Sequence, residues 1–181
     1  WQKDRNRRTI YAYRVRGQPD PFLELFNQPN PNDSCEERVS ESVSPQAFTL
    51  MNSSLMNDRA IALALRVKDE FDDIHLQVKR AVQLAYGRVP NPDEWDRLKK
   101  YVQKMEIYHH SSKPEPQEYP ASITRSLVEE NTGDTFEYKE ILPVFEDYQK
   151  DKKAHELSPE TRALSDLCLV LFNSNEYIYV Y

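Results

Sequence analysis

Residues 74–105 read IHLQVKRAVQLAYGRVPNPDEWDRLKKYVQKM and carry the strongest structural signal in the chain. Apolar side chains recur at helical spacing in the first half, and Gly87 follows them as a residue typical of a helix C-terminus. Asn91, Pro92 and Glu94 then supply an N-cap, a first-turn proline and a capping-box partner. Because the connection is short, the sequence predicts an antiparallel helix hairpin.

The chain before this hairpin predicts two more helices. Ser44 is a typical N-cap residue, and Pro45 follows it at the first helical position. The sequence predicts that this helix ends at Asn52. Asn57-Asp58 offers a second cap before an almost continuously apolar segment, residues 60–65, which is typical of a buried helix.

The chain after the hairpin loses the helical periodicity. Residues 111–157 are predicted to be a loop-rich insert, with a β-hairpin at residues 122–142 around a turn-forming cluster and an exposed charged stretch from residue 150. Ser158 caps a final helix, and its apolar side chains lie on one face. The alternation in residues 177–181 favours a short strand, packed beside a similar strand that contains Tyr11 and Tyr13.

These elements predict a mainly α fold: one helical domain over residues 1–181, with an antiparallel helix hairpin and a small β element. The chain has 181 residues, of which 39% are hydrophobic, and only 3 are glycine. The glycines lie far apart, which argues against a phosphate-binding loop or a dinucleotide fingerprint. No apolar run reaches the roughly 18 residues of a membrane span. Because the sequence opens with Trp1 rather than Met, we interpret it as a piece of a longer protein.

Charge is unevenly distributed along the sequence. The 24 Lys and Arg residues against 30 Asp and Glu residues give a net charge of -6, which disfavours a nucleic-acid-binding module. Residues 1–17 are basic and residues 129–147 are acidic. We expect these two patches to face each other rather than separate partners.

Several stretches together resemble a known family. The first stretch is Arg7-Arg8-Thr9-Ile10-Tyr11, and the second is Ser34-Cys35-Glu36-Glu37-Arg38, which is followed by the matching segments 44–47 and 50–52. The third is Tyr86-Gly87-Arg88, which is followed by Pro90, Pro92 and Glu94. The fourth runs from Leu167 to Tyr177. In this order they resemble the C-terminal part of the planctomycete-cytochrome-associated PSD domain, a family of unknown function.

The resemblance implies a context rather than an activity. Proteins of this family look like large exported chains with a c-type cytochrome-like region upstream, sometimes with carbohydrate-binding-like modules. The implied location is periplasmic or extracellular, and the implied partners are upstream domains of the same protein and, as an alternative, carbohydrate. Covalent haem attachment needs a C-x-x-C-H run, and this sequence has none. We therefore expect no cofactor in this chain.

Arg7, Arg8 and Arg38 are the first candidate binding residues. Guanidinium groups bind carboxylates through two parallel hydrogen bonds, so these arginines could form a site for an anion or a sugar acid. They could instead pair with carboxylates of the same chain and fix the N-terminal segment onto the helices. The second interpretation is favoured because structural ion pairs outnumber binding sites.

Asn173, Asn175 and Glu176 are the second candidate group. Their side chains could bind the hydroxyl groups of a sugar, or they could terminate the preceding helix. We favour termination, because asparagine tolerates the backbone conformation of a helix end and its amide can satisfy end carbonyls.

The remaining candidates are cysteines and histidines. Cys35 and Cys168 could form a disulfide in an exported protein, although Cys168 on the apolar face also fits a buried thiol. His109 and His110 have no further ligand at metal-binding spacing and are expected at a solvated helix end, so no metal site is predicted.

The sequence names no catalytic residue and leaves open whether the chain is an enzyme. Two functions remain: a non-catalytic accessory domain that contributes packing or partner contacts, and part of an enzyme or binding module that acts on carbohydrate or a related extracellular polymer.

Overall fold

A computed structural model of the chain describes residues 7–30, 32–37, 43–116, 120–143 and 150–179. The helices are α1 (Pro21–Leu25), α2 (Ser44–Asn52), α3 (Ser54–Glu70), α4 (Ile74–Tyr86), α5 (Pro92–Ser111), α6 (Pro159–Phe172) and α7 (Asn175–Ile178). Two strands, β1 (Ser122–Val128) and β2 (Thr135–Ile141), and two 3-10 turns (Thr9–Tyr11 and Ala154–Glu156) complete the description. The fold is mainly α, which confirms the predicted class.

Helices α4 and α5 form the predicted hairpin. Gly87 ends α4 in the left-handed region with a φ of 71°, and its N–H donates to Gln83 O at 2.9 Å. Asn91 Oδ1 accepts from the backbone N–H of Glu94 at 2.8 Å, and Glu94 Oε2 accepts from the backbone N–H of Asn91 at 3.2 Å. The capping box therefore satisfies two N–H groups that the first turn of α5 would otherwise leave unpaired.

The core is built around α6, the last long helix. This helix packs against α3 on one side and α5 on the other, while α4 contacts all three. Leu164, Leu167 and Cys168 have 0% exposure, which confirms the apolar face predicted for this helix. The buried core comprises Ala60, Ala64, Val67, Val78, Ala81, Val82, Val102, Ala163, Leu164, Leu167, Cys168, Leu171 and Phe172.

The start of α3 differs from the prediction. Asn57-Asp58 does not cap this helix, which begins at Ser54 with the Ser53 hydroxyl accepting from the Met56 N–H at 3.3 Å. Since Ser53 already supplies the cap one turn earlier, Asn57 lies inside the helix and donates to Ser53 O. The preceding helix, α2, begins at Ser44 and ends at Asn52, within one residue of the prediction.

Strands β1 and β2 form the predicted antiparallel hairpin. Their register runs from Ser122 opposite Ile141 to Val128 opposite Thr135. Gly133 in the connecting turn has a φ of 75°, a conformation that side chains rarely adopt. Both strands are largely exposed, and each packs mainly on the other.

The predicted terminal strands are wrong for the described residues. Residues 175–178 form α7 instead, because Ser174 Oγ accepts from the Tyr177 N–H and starts a helix in a segment that alternates in sequence. Tyr11 lies in a 3-10 turn, and both Tyr11 and Tyr13 are exposed at 70% and 92%. No described helix combines the length and apolar content that a membrane span requires.

Candidate functional site

A cavity with both polar and apolar lining residues lies between α3, the end of α5, α6 and the 3-10 turn at residues 154–156. Its volume is about 340 Å³. It is lined by Ser54, Asn57, Asp58, Ile61, Tyr108, His109, Ser112, Pro114, Glu115, Lys153, Ala154, His155, Leu157, Arg162, Ser165 and Asp166. We call it the α5–α6 cavity, and it brings four charged or titratable side chains into hydrogen-bonded contact.

His109 and Asp166 form the first pair of the cavity. His109 Nε2 lies 2.6 Å from Asp166 Oδ2, and only 13% of the histidine side chain is exposed. The Tyr108 ring stands edge-on to the imidazole, with the ring centroids 5.3 Å apart. The prediction of a solvated helix end at His109 is therefore wrong, because α6 covers this residue and supplies a carboxylate.

Arg162 fixes the end of α5 in place. Its side chain is 7% exposed and donates to Ser112 O and His109 O, both at 2.8 Å. The last carbonyls of a helix have no intrahelical partner and carry the negative end of the helix dipole, so a buried guanidinium suits this position. Arg162 Nε and His109 Nδ1 are buried and have no hydrogen-bond partner among the described residues.

Lys153 and Asp58 form the second pair. Lys153 Nζ lies 2.6 Å from Asp58 Oδ1 and 2.7 Å from Oδ2, and the two side chains are 13% and 20% exposed. The charged stretch from residue 150 was predicted to be exposed, and this prediction is wrong at Lys153. The partner carboxylate explains the difference, since it lets the ammonium group lie in a largely covered position.

Among the described residues, the cavity does not bring a serine hydroxyl group and a histidine nitrogen together. A serine nucleophile needs a histidine nitrogen within hydrogen-bond reach of its hydroxyl group. Within this part of the chain, His109 contacts Asp166 through one nitrogen, and no hydroxyl group contacts the other. The side-chain contacts that the cavity does contain are the pairs His109–Asp166 and Lys153–Asp58.

The predicted arginine site is not assembled by the described residues. Arg7 and Arg8 are both exposed in the N-terminal segment, and Arg38 lies outside the residues that the structure describes. Residues 1–6 and 144–147 of the basic and acidic segments lie outside the described residues, so the expected contact between these segments stays a prediction. Glu140 pairs with Arg125 across the β-hairpin, and Glu129 contacts Thr132 in its turn.

The second candidate group, Asn173, Asn175 and Glu176, does not form one site: the two asparagines lie at helix ends, and Glu176 belongs to an ion pair. Asn173 is the C-cap of α6, and its Nδ2 donates to Leu169 O at 2.8 Å and to Leu50 O at 3.3 Å. Its role as a cap fits the favoured interpretation. Asn175 is the first residue of α7, and Glu176 pairs with Arg88 instead of joining the asparagines.

Arg88 connects the helix hairpin to the C-terminal segment. Its Nη1 donates to Glu94 Oε2 at 2.7 Å, and its Nε donates to Glu176 Oε1 at 2.6 Å. The hydrogen bonds from Arg88 hold the pKa of both carboxyl groups below the ordinary glutamate value, and they raise the pKa of Arg88. No local sequence pattern indicates this contact, since Glu176 lies 88 residues after Arg88.

The Arg88 ion pairs predict an acid-sensitive contribution to stability. A carboxyl group with a lowered pKa in the folded chain stabilises the fold above its unfolded pKa, about 4.3, and this contribution is lost as the pH falls through the folded pKa. We expect Arg88→Ala to lower Tm near neutral pH, and the difference from the parent chain to shrink below about pH 4. Thermal unfolding across this range measures the difference.

The matched control for this prediction is Lys79→Ala on α4, which removes an exposed cation. Its Tm difference should be small at every pH. A difference for Arg88→Ala that stays constant from neutral to acidic pH would show that lost packing, rather than the ion pairs, causes the destabilisation.

One group of side chains could hold a metal ion. Ligand atoms of Glu106, His110 and Glu160 lie within 4.8 Å of one another, on α5 and the first turn of α6. Spacing along the sequence could not reveal this group, because Glu160 comes from a different helix. His110 and Glu160 are exposed, so the group is open to solvent.

Cys35 and Cys168 are both free, so the structure shows no disulfide between them. Cys35 is exposed and its thiol donates to Glu37 O at 3.1 Å. Cys168 lies in the core, where burial raises the pKa of its thiol to about 12. The second thiol therefore behaves as a small apolar core residue, which is the alternative that its position on the apolar face suggested.

A helical module whose α5–α6 cavity contains the side-chain pairs His109–Asp166 and Lys153–Asp58 is the class of structure that these observations define. Residues 1–102 match the PSD1 family, described as a protein of unknown function (DUF1553). The chain belongs to this family, which agrees with the resemblance found in the sequence. No curated protein matches the chain, and no solved structure matches it either.

Proposed function

We propose that the chain is a non-catalytic accessory module of a larger, exported, cytochrome-associated protein. In this role, the segment before α3, residues 7–52, docks onto another part of that protein, and the chain carries no cofactor of its own. We call these residues the N-terminal segment. The cytochrome-associated and exported context comes from the family resemblance, and the docking role comes from the surface of the N-terminal segment.

The observation that carries this proposal is the exposure of large apolar side chains in the N-terminal segment. Ile10, Tyr11 and Tyr13 are 81%, 70% and 92% exposed. Phe48 and Met51 on α2 are 65% and 55% exposed, and α2 has no buried residue. Large apolar groups that stay in water are costly, and they commonly mark contact surfaces.

The shape of the same segment also supports docking. A hollow of about 600 Å³ lies within residues 9–32, and Tyr13 is one of its lining residues. The charged residues that line it, Arg14, Asp20 and Glu24, are themselves exposed, in contrast to the covered ion pairs of the α5–α6 cavity. A concave surface next to exposed aromatic side chains is a feature that protein contact surfaces commonly have.

The carbohydrate alternative gains no support at its predicted residues. Arg7 and Arg8 lie in the exposed segment, while Asn173 caps α6 and Glu176 is held by Arg88. No contact among the described residues joins these groups. The accessory role is therefore the better supported of the two functions.

Binding of the chain to the separately produced upstream region tests the proposal. Isothermal titration calorimetry should detect association, and Tyr13→Ser combined with Phe48→Ser should weaken it by about tenfold or more, because buried aromatic side chains dominate protein interfaces. The matched control is Ile107→Ser, which removes a side chain that is 73% exposed on α5.

Side-chain footprinting of the longer protein provides an independent measurement. Tyr11, Tyr13, Phe48 and Met51 should be strongly protected from hydroxyl radicals there and reactive in the isolated chain. Equal reactivity in both samples would rule out docking through this segment.

A further inference from the structure

We propose that the α5–α6 cavity binds a neutral, polyhydroxylated ligand of about the size of a sugar ring. This inference does not rest on the accessory role, since none of the residues that line the cavity lies before Ser54. It follows from three properties of the cavity: the pairing of its charges, the free hydrogen-bonding capacity of its carboxylates, and the aromatic ring at its rim.

The cations that line the cavity are already bound within the chain, and a further carboxylate stands among the lining residues. Lys153 is bound to Asp58, and Arg162 donates to two carbonyl groups at the end of α5. Asp166 is hydrogen-bonded to His109, and Glu115 is exposed in the lining. An anionic ligand would have to compete with Asp58 for Lys153 in the presence of the carboxylates of Asp166 and Glu115, whereas a neutral ligand can bind without breaking either pair.

The carboxylates keep capacity for further donors. An ionised carboxylate has about four acceptor positions on its two oxygens. His109 contacts only Oδ2 of Asp166, whose side chain is 32% exposed. Hydroxyl groups are suitable donors here, because a hydrogen bond to a charged acceptor is stronger than one between neutral groups.

The rim and the volume also fit such a ligand. Tyr108 is 56% exposed beside His109, so one ring face is available for contact with the C–H groups of a ligand. A cavity of about 340 Å³ lies at the small end of the range for small-molecule sites. A single ring with several hydroxyl groups matches both properties.

Titration of the 181-residue chain with defined probes tests the inference. The neutral probes are D-glucose, D-galactose and N-acetyl-D-glucosamine, and the charged probes are D-glucuronate and orthophosphate. In two-dimensional NMR spectra, we expect at least one neutral sugar to cause saturable shifts of the His109 and Arg162 signals. Saturation with the charged probes alone would overturn the proposal, and so would the absence of saturation with every probe.

Three variants locate the binding site. Asp166→Asn should weaken binding of the responding sugar by about tenfold or more, because it removes a charged acceptor. Tyr108→Ala should weaken it several-fold, and this exposed position is expected to leave the fold intact. Asp69→Asn, at an exposed carboxylate of α3, is the matched control and should leave the affinity unchanged. Unchanged affinity in both cavity variants would overturn the proposal.

Discussion

Replacing Leu167 with alanine is expected to lower the free energy of unfolding by about 2–5 kcal/mol. Leu167 is fully buried in the middle of α6, the helix that contacts both α3 and α5. The loss has two sources: less apolar surface is buried on folding, and a cavity remains because the surrounding helices relax only in part. Urea unfolding measured by circular dichroism provides the comparison.

The control for this prediction lies three residues further along the same helix. Val170 is 48% exposed, so Val170→Ala removes methyl groups from the solvent-facing side of α6. We expect Val170→Ala to change the free energy of unfolding by much less than Leu167→Ala does. Similar losses for both variants would mean that helix propensity, rather than core packing, determines the stability of α6.

Replacing Arg162 with methionine should produce the second large effect. Methionine retains an apolar stem but leaves the carbonyls of His109 and Ser112 without their donor. We expect a loss of about 2–4 kcal/mol, because each buried carbonyl loses its hydrogen bond without regaining water. The midpoint of urea unfolding gives the loss, and amide signals at the end of α5 should shift.

Arg97→Met on α5 is the matched control for Arg162→Met. Arg97 is exposed, so this variant removes the same charge from the surface and should stay within about 0.5 kcal/mol of the parent chain. If Arg162→Met unfolds at the same midpoint as the control, then the guanidinium does not hold the end of α5 against α6.

The elements that sequence predicted correctly have strong local signals. Gly87 and Asn91 fix the ends of the α4–α5 hairpin through contacts within a few residues. Ser158 starts α6 in the same way, and its apolar face follows from helical spacing alone. Helix ends and amphipathic faces are local properties, so a single sequence contains them.

The candidate site was missed because its contacts are not local. His109 and Asp166 lie 57 residues apart, and Lys153 and Asp58 lie 95 residues apart. Each of these side chains has an ordinary explanation as an exposed polar residue when only its neighbours in sequence are considered. Their contacts depend on how the helices pack against one another. Helical periodicity predicts which residues are buried, but it does not predict which helices contact each other.

The strand predictions for the two terminal segments were wrong for a different reason. Alternating apolar residues near Tyr177 are compatible with a strand, but a strand also needs a partner edge. Ser174 provides a local helix cap, and a single helical turn satisfies its own backbone groups. For this short segment, the N-cap residue was therefore a better predictor of secondary structure than the alternation of apolar residues.

The exposure of the β1–β2 hairpin determines which part of the chain unfolds first. Two strands alone are marginally stable in water, and these two pack mainly on each other, with Val128 and Ile141 60% and 70% exposed. Their backbone hydrogen bonds are thus independent of the core around α6. Amide exchange and limited proteolysis should affect residues 122–141 long before the helices, because the hairpin behaves as a separate foldon of low stability.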